Sequence, residues 1–456
     1  MDREQERNTE LFERLPVPKA VAKMALPTVI AQLIVLIYNM ADTFFIGRTN
    51  NPLMVAAASL ILPLFNVTIA VANIAGTGGG TLVARLLGRS DSGAARRVAA
   101  FSFYFSFGGG LLFSLGTLLF LHPLIRLLGA SEDTFDFARQ YALCVIVCGA
   151  VPTVLSMTMG TLLRNVGCAA QAGFGGALGG VVNILLDPLF MFVLLPPGHE
   201  ILGAGIATAL SNVISVAYYL IVILRMKNPI LDLAPRDLWL DGNQLRTFFA
   251  VGLPAAMGPF LFDLDYIVLD RLMSGYSDIA LAAIGIVLKA ERLPLNIGVG
   301  LCLGMVPLAA YNYSSGNRRR MEEVLRFTRA TGAVIGLLSI VLYECFAPAL
   351  MRVFLNDAMT VQLGASFLRI RALATILMFL SFIYVHVFQA LGRGDYALLL
   401  VVMRWAAVNI PMLFLLNALF GMYGLVWSQF VSDGIVATAS YLIYRRFRKR
   451  ELLREN

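Results

Sequence analysis

The chain has 456 residues, of which 58% are hydrophobic and only 14% charged, with a formal net charge of +8. A soluble domain carries about 45–50% apolar and about 25% charged residues, so a mean hydropathy of +0.76 excludes water as the main solvent for this surface. The basic excess sits in the connections between apolar stretches, which argues against nucleic acid as a partner.

A membrane-spanning helix needs about 20 apolar residues. Twelve stretches qualify: 22–46, 53–84, 98–120, 134–160, 168–194, 201–224, 247–273, 278–312, 326–347, 360–390, 396–419 and 422–444. Several are longer than a bilayer core requires, which implies tilt, kinks or helix ends in water. The predicted fold class is therefore an all-α integral membrane protein with twelve transmembrane helices.

Lys and Arg crowd alternate connections. The tail up to Lys23, the loop Arg85 to Arg97, Arg164, the loop Arg225 to Arg246, the run Arg318 to Arg329, Arg393 and the tail from Arg445 hold 26 of them. The opposite connections hold only Arg48, Arg126, Arg271 and Arg352. By the positive-inside rule both termini are expected in the cytoplasm, in a multi-pass protein of the cytoplasmic (inner) membrane. The first 20 residues mix acidic and basic charge and lack the n-region, h-region and cleavage site of a secretory signal, so the first span is expected to target the chain itself. The five cysteines are scattered; Cys144 and Cys148 share a helix face, but no second pair completes a metal site.

The chain says nearly the same thing twice. Ala25-Leu26-Pro27 is echoed by Gly252-Leu253-Pro254, and Gly78 to Val98 by Gly304 to Val324. His122 to Arg126 answers Ala347 to Arg352, and Asn165-Val166-Gly167 answers Gly392-Arg393-Gly394. The predicted organisation is a tail (1–20), a six-helix lobe (21–226), a linker (227–246), a second six-helix lobe (247–444) and a basic tail (445–456). Six spans is an even number, so both halves enter the membrane alike and are related by a pseudo-two-fold axis along the membrane normal. A transport path is expected between the lobes.

Glycine clusters inside helices. Gly175/Gly179 and Gly176/Gly180 form small-xxx-small pairs that let helix backbones approach in lipid. Gly76, Gly78, Gly79 and Gly80 weaken the second span, which predicts a bend or a close helix crossing there.

Ionisable residues inside spans carry the functional argument, because a mid-bilayer carboxylate costs about 2.5–3.5 kcal/mol on insertion scales. Asp42 sits late in the first span. Asn183 and Asp187 lie on the fifth in NILLDP, and their i,i+4 spacing puts both on one face. Pro188 frees a backbone carbonyl near Ile184 and predicts a helix bend. With the Thr208 hydroxyl on the sixth span, this set suits a cation or a proton. The alternative is that the two acids only accept bonds from neighbouring helices. In the second lobe, Asp263, Asp265 and Asp270 share the seventh span, and Lys289, Glu291 and Arg292 the eighth. A Lys289 or Arg292 pairing with one of these aspartates would lower the burial cost, the alternative being a functional role for the acids, and Arg404 and Asp433 are further candidates for such pairing. The histidines do not cluster and no Gly-Lys pair exists, so neither a metal-dependent enzyme nor a Walker A ATPase is expected. Cofactors are expected to be none beyond the coupling ion.

In this setting the motifs resemble the multidrug and toxic compound extrusion (MATE) transporters. The likeness covers essentially the whole chain. Pro27 with DTFFIG (Asp42 to Gly47) is similar to that family's first helix, NILLDP to its fifth, and GMVPLAAYNYSSGN (304–317) to its eighth-helix signature. The resemblance implies a V-shaped pair of lobes exporting small organic cations in exchange for H+ or Na+. It also implies that Asp42, Asn183, Asp187 and Thr208 form the ion-linked group. Val306 departs from the pattern, where a Gln often precedes the Pro, and the seventh-span acids do not map cleanly. Both departures favour coupling in the amino-terminal lobe. The cavity candidates are Tyr38, Asn39, Phe44, Phe45, Met157, Met159 and Asp265, since Met-rich, roomy surfaces permit loose specificity. A monomer is expected. The main alternative is a flippase for lipid-linked oligosaccharides of the same broad superfamily, disfavoured because the amino-lobe charges are acidic. A membrane-embedded transferase and a major-facilitator-type carrier are more distant alternatives.

Overall fold

The computed structural model describes residues 10–226, 230–235, 238–355 and 357–452. Parts of the expected tails and linker, namely 1–9, 227–229, 236–237 and 453–456, lie outside the described residues.

The described chain is helical, with no strand among its residues. Its spans are α1 (Val17–Arg48), α2 (Pro52–Gly88), α3 (Ser92–Leu119), α4 (Glu132–Cys148 with Ala150–Asn165), α5 (Ala169–Leu194) and α6 (Glu200–Met226). The second lobe has α7 (Gly242–Ser274), α8 (Asp278–Ser314), α9 (Arg318–Phe354) and α10 (Ala358–Ala372 with Thr375–Ala390). The 58-residue stretch Gly394–Glu451 is two spans, α11 (394–420) and α12 (422–451). Gly421 separates them at φ 60°, ψ −142°, a conformation that glycine alone adopts readily. The pairs forming α4 and α10 bend by 45° and 47°.

Polar residues in the connections start these helices. Asn51, Asp91, Ser277, Asn317 and Asp357 each accept a backbone N–H of the following first turn. Ser131 and Asp241 do so within capping boxes completed by Thr134 and Gln244. Large apolar side chains such as Leu112, Leu119, Leu185 and Leu338 point outward. In water that would be an aggregation surface; in lipid it is the matched solvent.

Small residues decide how the lobes meet. Gly304 of α8 lies against Ala25 of α1, and Gly300 against Val29. Gly78 of α2 meets Phe248 and Gly252 of α7 in the same way. Because Gly78 is the repeat counterpart of Gly304, and Gly252 of Ala25, the two crossings are one contact made twice by the pseudo-two-fold symmetry. The glycine cluster of α2 does not break the span: Ile74–Gly79 forms a π-helical turn that presents bare backbone to α7.

The apolar cores show where the lobes join. One core on the side of the termini draws on both lobes, with Leu82, Val98 and Leu162 beside Phe248, Met305, Val324 and Ile383. On the far side each lobe keeps its own. Ile46, Ile61, Ile146 and Ile201 pack in the first lobe, and Leu269, Ile284, Tyr343 and Leu413 in the second. The molecule is therefore closed at its terminal side and divided at its far side.

Candidate functional site

The glycines of α5 bring the site together. Gly173 receives Pro27 of α1, Gly176 receives Ala31, and Gly180 receives Ile34 and Tyr38. The neighbouring stripe, Gly175 and Gly179, receives Tyr218, Tyr219 and Ser215 of α6. Tyr219 donates its hydroxyl to the Ala172 carbonyl at 2.8 Å and Ser215 to the Gly175 carbonyl at 3.2 Å. Thus α5 lies between α1 and α6 with no side chain holding them apart. The parallel run of α1 and α5, from Pro27 beside Gly173 to Tyr38 beside Gly180, carries Asp42 to the level of Asp187.

Asp42 and Asp187 sit within electrostatic reach of each other, and both act on the phenols of Tyr38 and Tyr141. Asp187 and Asn183 are buried. Among the described residues neither carboxylate forms an ion pair. Asp42 Oδ1, both Asp187 oxygens and Asn183 Oδ1 are buried without a hydrogen-bond donor. Asn183 Nδ2 donates to Thr208 Oγ1 at 3.4 Å. Buried oxygens without donors are costly unless a cation, a proton or water meets them. Two carboxylates, an amide oxygen and a hydroxyl are a hard, all-oxygen donor set of the kind that alkali and alkaline-earth ions prefer. No cluster of three or more His, Cys, Asp or Glu suited to a transition metal occurs among the described residues.

Pro188 lies inside α5, where α-helical geometry ends at Leu189 and a π-helical turn, Phe190–Leu194, follows. Such turns are frequent at functional positions. Asn39 and Phe44 are exposed, and Tyr38 and Phe45 are half-buried. Phe45 rests edge-on against Phe44 and Phe192. Met157 is 37% exposed, whereas Met159 is fully buried in the joint core. Met159 therefore does not line an open surface, because the i,i+2 spacing turns it to the opposite side of α4. Tyr141 of α4, within electrostatic range of both acids, is not among the residues the sequence points to. A phenol among apolar residues one helical turn before Cys144 was the available signal.

The second lobe answers most of its buried charges with partners; Asp270 of α7, whose Oδ1 is buried without a donor, is the exception among the described residues. Arg371 of α10 grips Glu291 through two bonds, at 2.7 and 2.9 Å. Arg404 pairs with Asp433 at 3.0 Å, as the sequence predicts, and stacks over Phe382 and Trp405. Asp265 is buried and accepts from Asn409 Nδ2 at 2.7 Å, so it too is away from any open surface. Asp263 accepts from Asn66 of the first lobe at 2.6 Å, with Arg292 in electrostatic range. Of the two readings left open for these acids, structural pairing is found, but mainly with partners on α2, α10 and α11 and not between α7 and α8. Spacing along one helix cannot reveal which residue of another helix faces it.

Comparison with known proteins agrees with this architecture. The family model MatE matches residues 27–189 and again 254–415, once per lobe. The chain is 32% identical over 441 residues to the multidrug export protein MepA of Staphylococcus saprophyticus, covering 96% of each chain. It is 30% identical over 444 residues to MepA of Staphylococcus aureus, again covering 96% of each. Among solved structures, one described as the outward-facing conformation of a multidrug resistance MATE family transporter superimposes with a TM-score of 0.91. That match has 23% identity and covers 96% of this chain and 97% of the other. A MATE structure in complex with MaL6 gives the same TM-score at 23% identity.

Proposed function

Because the chain belongs to the MatE family of multidrug exporters, a multi-pass membrane transporter and not an enzyme, we propose that it exports small organic cations in exchange for H+ or Na+, with Asp42 and Asp187 as the coupling pair. The observation that carries this reading is the pair itself: two acids on adjoining helices, in mutual range, with buried oxygens that meet no donor.

The chemistry follows from charge balance. Two anions in one apolar enclosure repel each other and favour taking up one positive charge. A proton or a Na+ ion supplies it on one side of the membrane. A cationic compound in the same enclosure then loses its counter-charge and is released. Departure of the ion on the other side restores affinity for the compound. Asn183 and Thr208 supply further oxygens to a bound Na+, and Tyr38 and Tyr141 can donate to a carboxylate. Pro188, next to Asp187, is placed to convert a change in this bonding into a change of helix course. The exposed Phe44 and Met157 and the half-buried Phe45 offer adaptable apolar contacts to the body of the compound.

The distribution of Lys and Arg supports a cytoplasmic-membrane location with both termini inside, so that export runs from the closed side to the divided one.

The test is transport by the purified protein in liposomes, with H+ and Na+ gradients imposed separately. Movement of a cationic dye against its gradient, driven by one of the two ions, is the expected result. Dye movement indifferent to both gradients overturns the coupling. Transport of an anionic lipid-linked sugar in place of dyes favours the flippase alternative.

A further inference from the structure

We propose that residues 10–15 form an interlobe clasp that holds the terminal side shut, and that its release is an obligatory step of the transport cycle. This segment leads directly into α1 and so belongs to the first lobe. The side chains that hold it belong to the second. Phe12 is fully buried and stacks on Tyr311 at the end of α8, with ring centroids 4.7 Å apart and planes 13° from parallel. Tyr311 donates its hydroxyl to Glu13 at 2.7 Å. Asn312 donates to the Phe12 carbonyl at 3.1 Å. Arg320 at the start of α9 donates to the Phe12 carbonyl at 2.6 Å and to the Leu15 carbonyl at 2.5 Å. The segment is preorganised for this grip. A π-helical turn, closed by Leu15 N–H on the Glu10 carbonyl at 2.8 Å, directs its carbonyls toward Arg320.

Its position gives it leverage. The lobes touch through the α1/α8 crossing at Ala25 and Gly304 and through its symmetry mate at Gly252 and Gly78. Rocking of one lobe against the other pivots at these bare-backbone contacts. Phe12 lies 13 residues before Ala25, on the terminal side of the pivot, where lobe separation opens a gap. Tyr311 is also seated against Gly88 at the end of α2. With its ring stacked on Phe12 and its backbone carbonyl against Gly88, Tyr311 therefore seals the seam between lobes. This packing cannot stay intact when that side opens. Charge-assisted bonds and a buried ring give way together, so the contact behaves as a two-state latch rather than a soft spring.

The test uses the full-length protein in liposomes, with the exposed Cys148 and Cys345 changed to Ser. In one arm, Phe12→Cys and Tyr311→Cys are joined as a disulfide. The clasp account expects export to be lost in the cross-linked protein and regained on reduction; undiminished export by the cross-linked form overturns it. The second arm reads conformation without transport. Spin labels at Arg89→Cys and Arg319→Cys, exposed residues of the α2–α3 turn and of the first turn of α9, report the width of the seam. Phe12→Ala is expected to add a longer-distance population. Arg320→Gln leaves the apolar core intact, serves if Phe12→Ala fails to fold, and is expected to act in the same direction. A distance distribution identical to that of the parent protein overturns the proposal.

Discussion

Gly304 of α8 rests on Ala25 of α1 so closely that a Cβ at Gly304 would lie 2.9 Å from the Ala25 Cβ. The crossing has no slack for even one methyl group. Gly304→Val is predicted to destabilise the protein by about 1–3 kcal/mol through overpacking and to impair export. Gly108→Ala is the control: nothing lies within 4 Å of an added Cβ there, and helix propensity favours Ala. Thermal unfolding in detergent should separate the two variants, the first melting lower than the parent and the second no lower.

Arg371 and Glu291 form a pair whose arginine is almost wholly enclosed. Removing one partner leaves an uncompensated charge, which typically costs about 3–5 kcal/mol. Arg371→Leu is therefore predicted to be severely destabilising, and Arg371→Leu with Glu291→Leu to recover much of the loss. A double variant no more stable than Arg371→Leu would show that the arginine acts through packing, not through its partner.

The two methionines of α4 separate contact with cargo from core packing. Met159→Ala is expected to cost about 2–5 kcal/mol as a cavity in the joint core. Met157→Ala is expected to leave the melting temperature near the parent's and to alter which dyes are exported. Melting curves and a panel of dye-resistance measurements check both halves of the statement.

Outside the membrane, Asp357 caps α10 by accepting the N–H and hydroxyl of Thr360, at 2.8 and 2.6 Å. These bonds hold its carboxyl below the usual carboxylate range. A depressed folded-state value means the contribution is present above the unfolded-state pKa and is lost as pH falls through the folded one. The gap in melting temperature between the parent and Asp357→Ala should accordingly narrow on acidification. A gap that widens at low pH would contradict this.

Much of the fold was legible in the sequence because lipid imposes a simple rule: a span must be long, apolar and helical. The matched triplets Ala25-Leu26-Pro27 and Gly252-Leu253-Pro254 announced two like lobes, and the α5 glycines announced close packing. Asp42, Asn183, Asp187 and Thr208 stood out because polar groups in apolar stretches are conspicuous. What stayed hidden was pairing between distant helices. Nothing local links Arg371 to Glu291, Asn409 to Asp265, or Asn66 to Asp263. Tyr141 was missed because a phenol is unremarkable in a span until a neighbouring helix brings a carboxylate to it. Met159 was misplaced because helix phase cannot tell an open surface from a second packed neighbour. The clasp escaped because Glu10 to Leu15 reads as an ordinary polar tail, and its partners lie in the other lobe.

The central claim is that Asp42 and Asp187 together hold the charge that is exchanged for cargo. The most direct measurement is gradient-driven dye export in liposomes by Asp42→Asn and by Asp187→Asn, each first shown to melt like the parent protein. The account predicts that either variant loses gradient-driven export while remaining folded. Export by both folded variants at nearly the parent rate, under the same H+ or Na+ gradient, would contradict it.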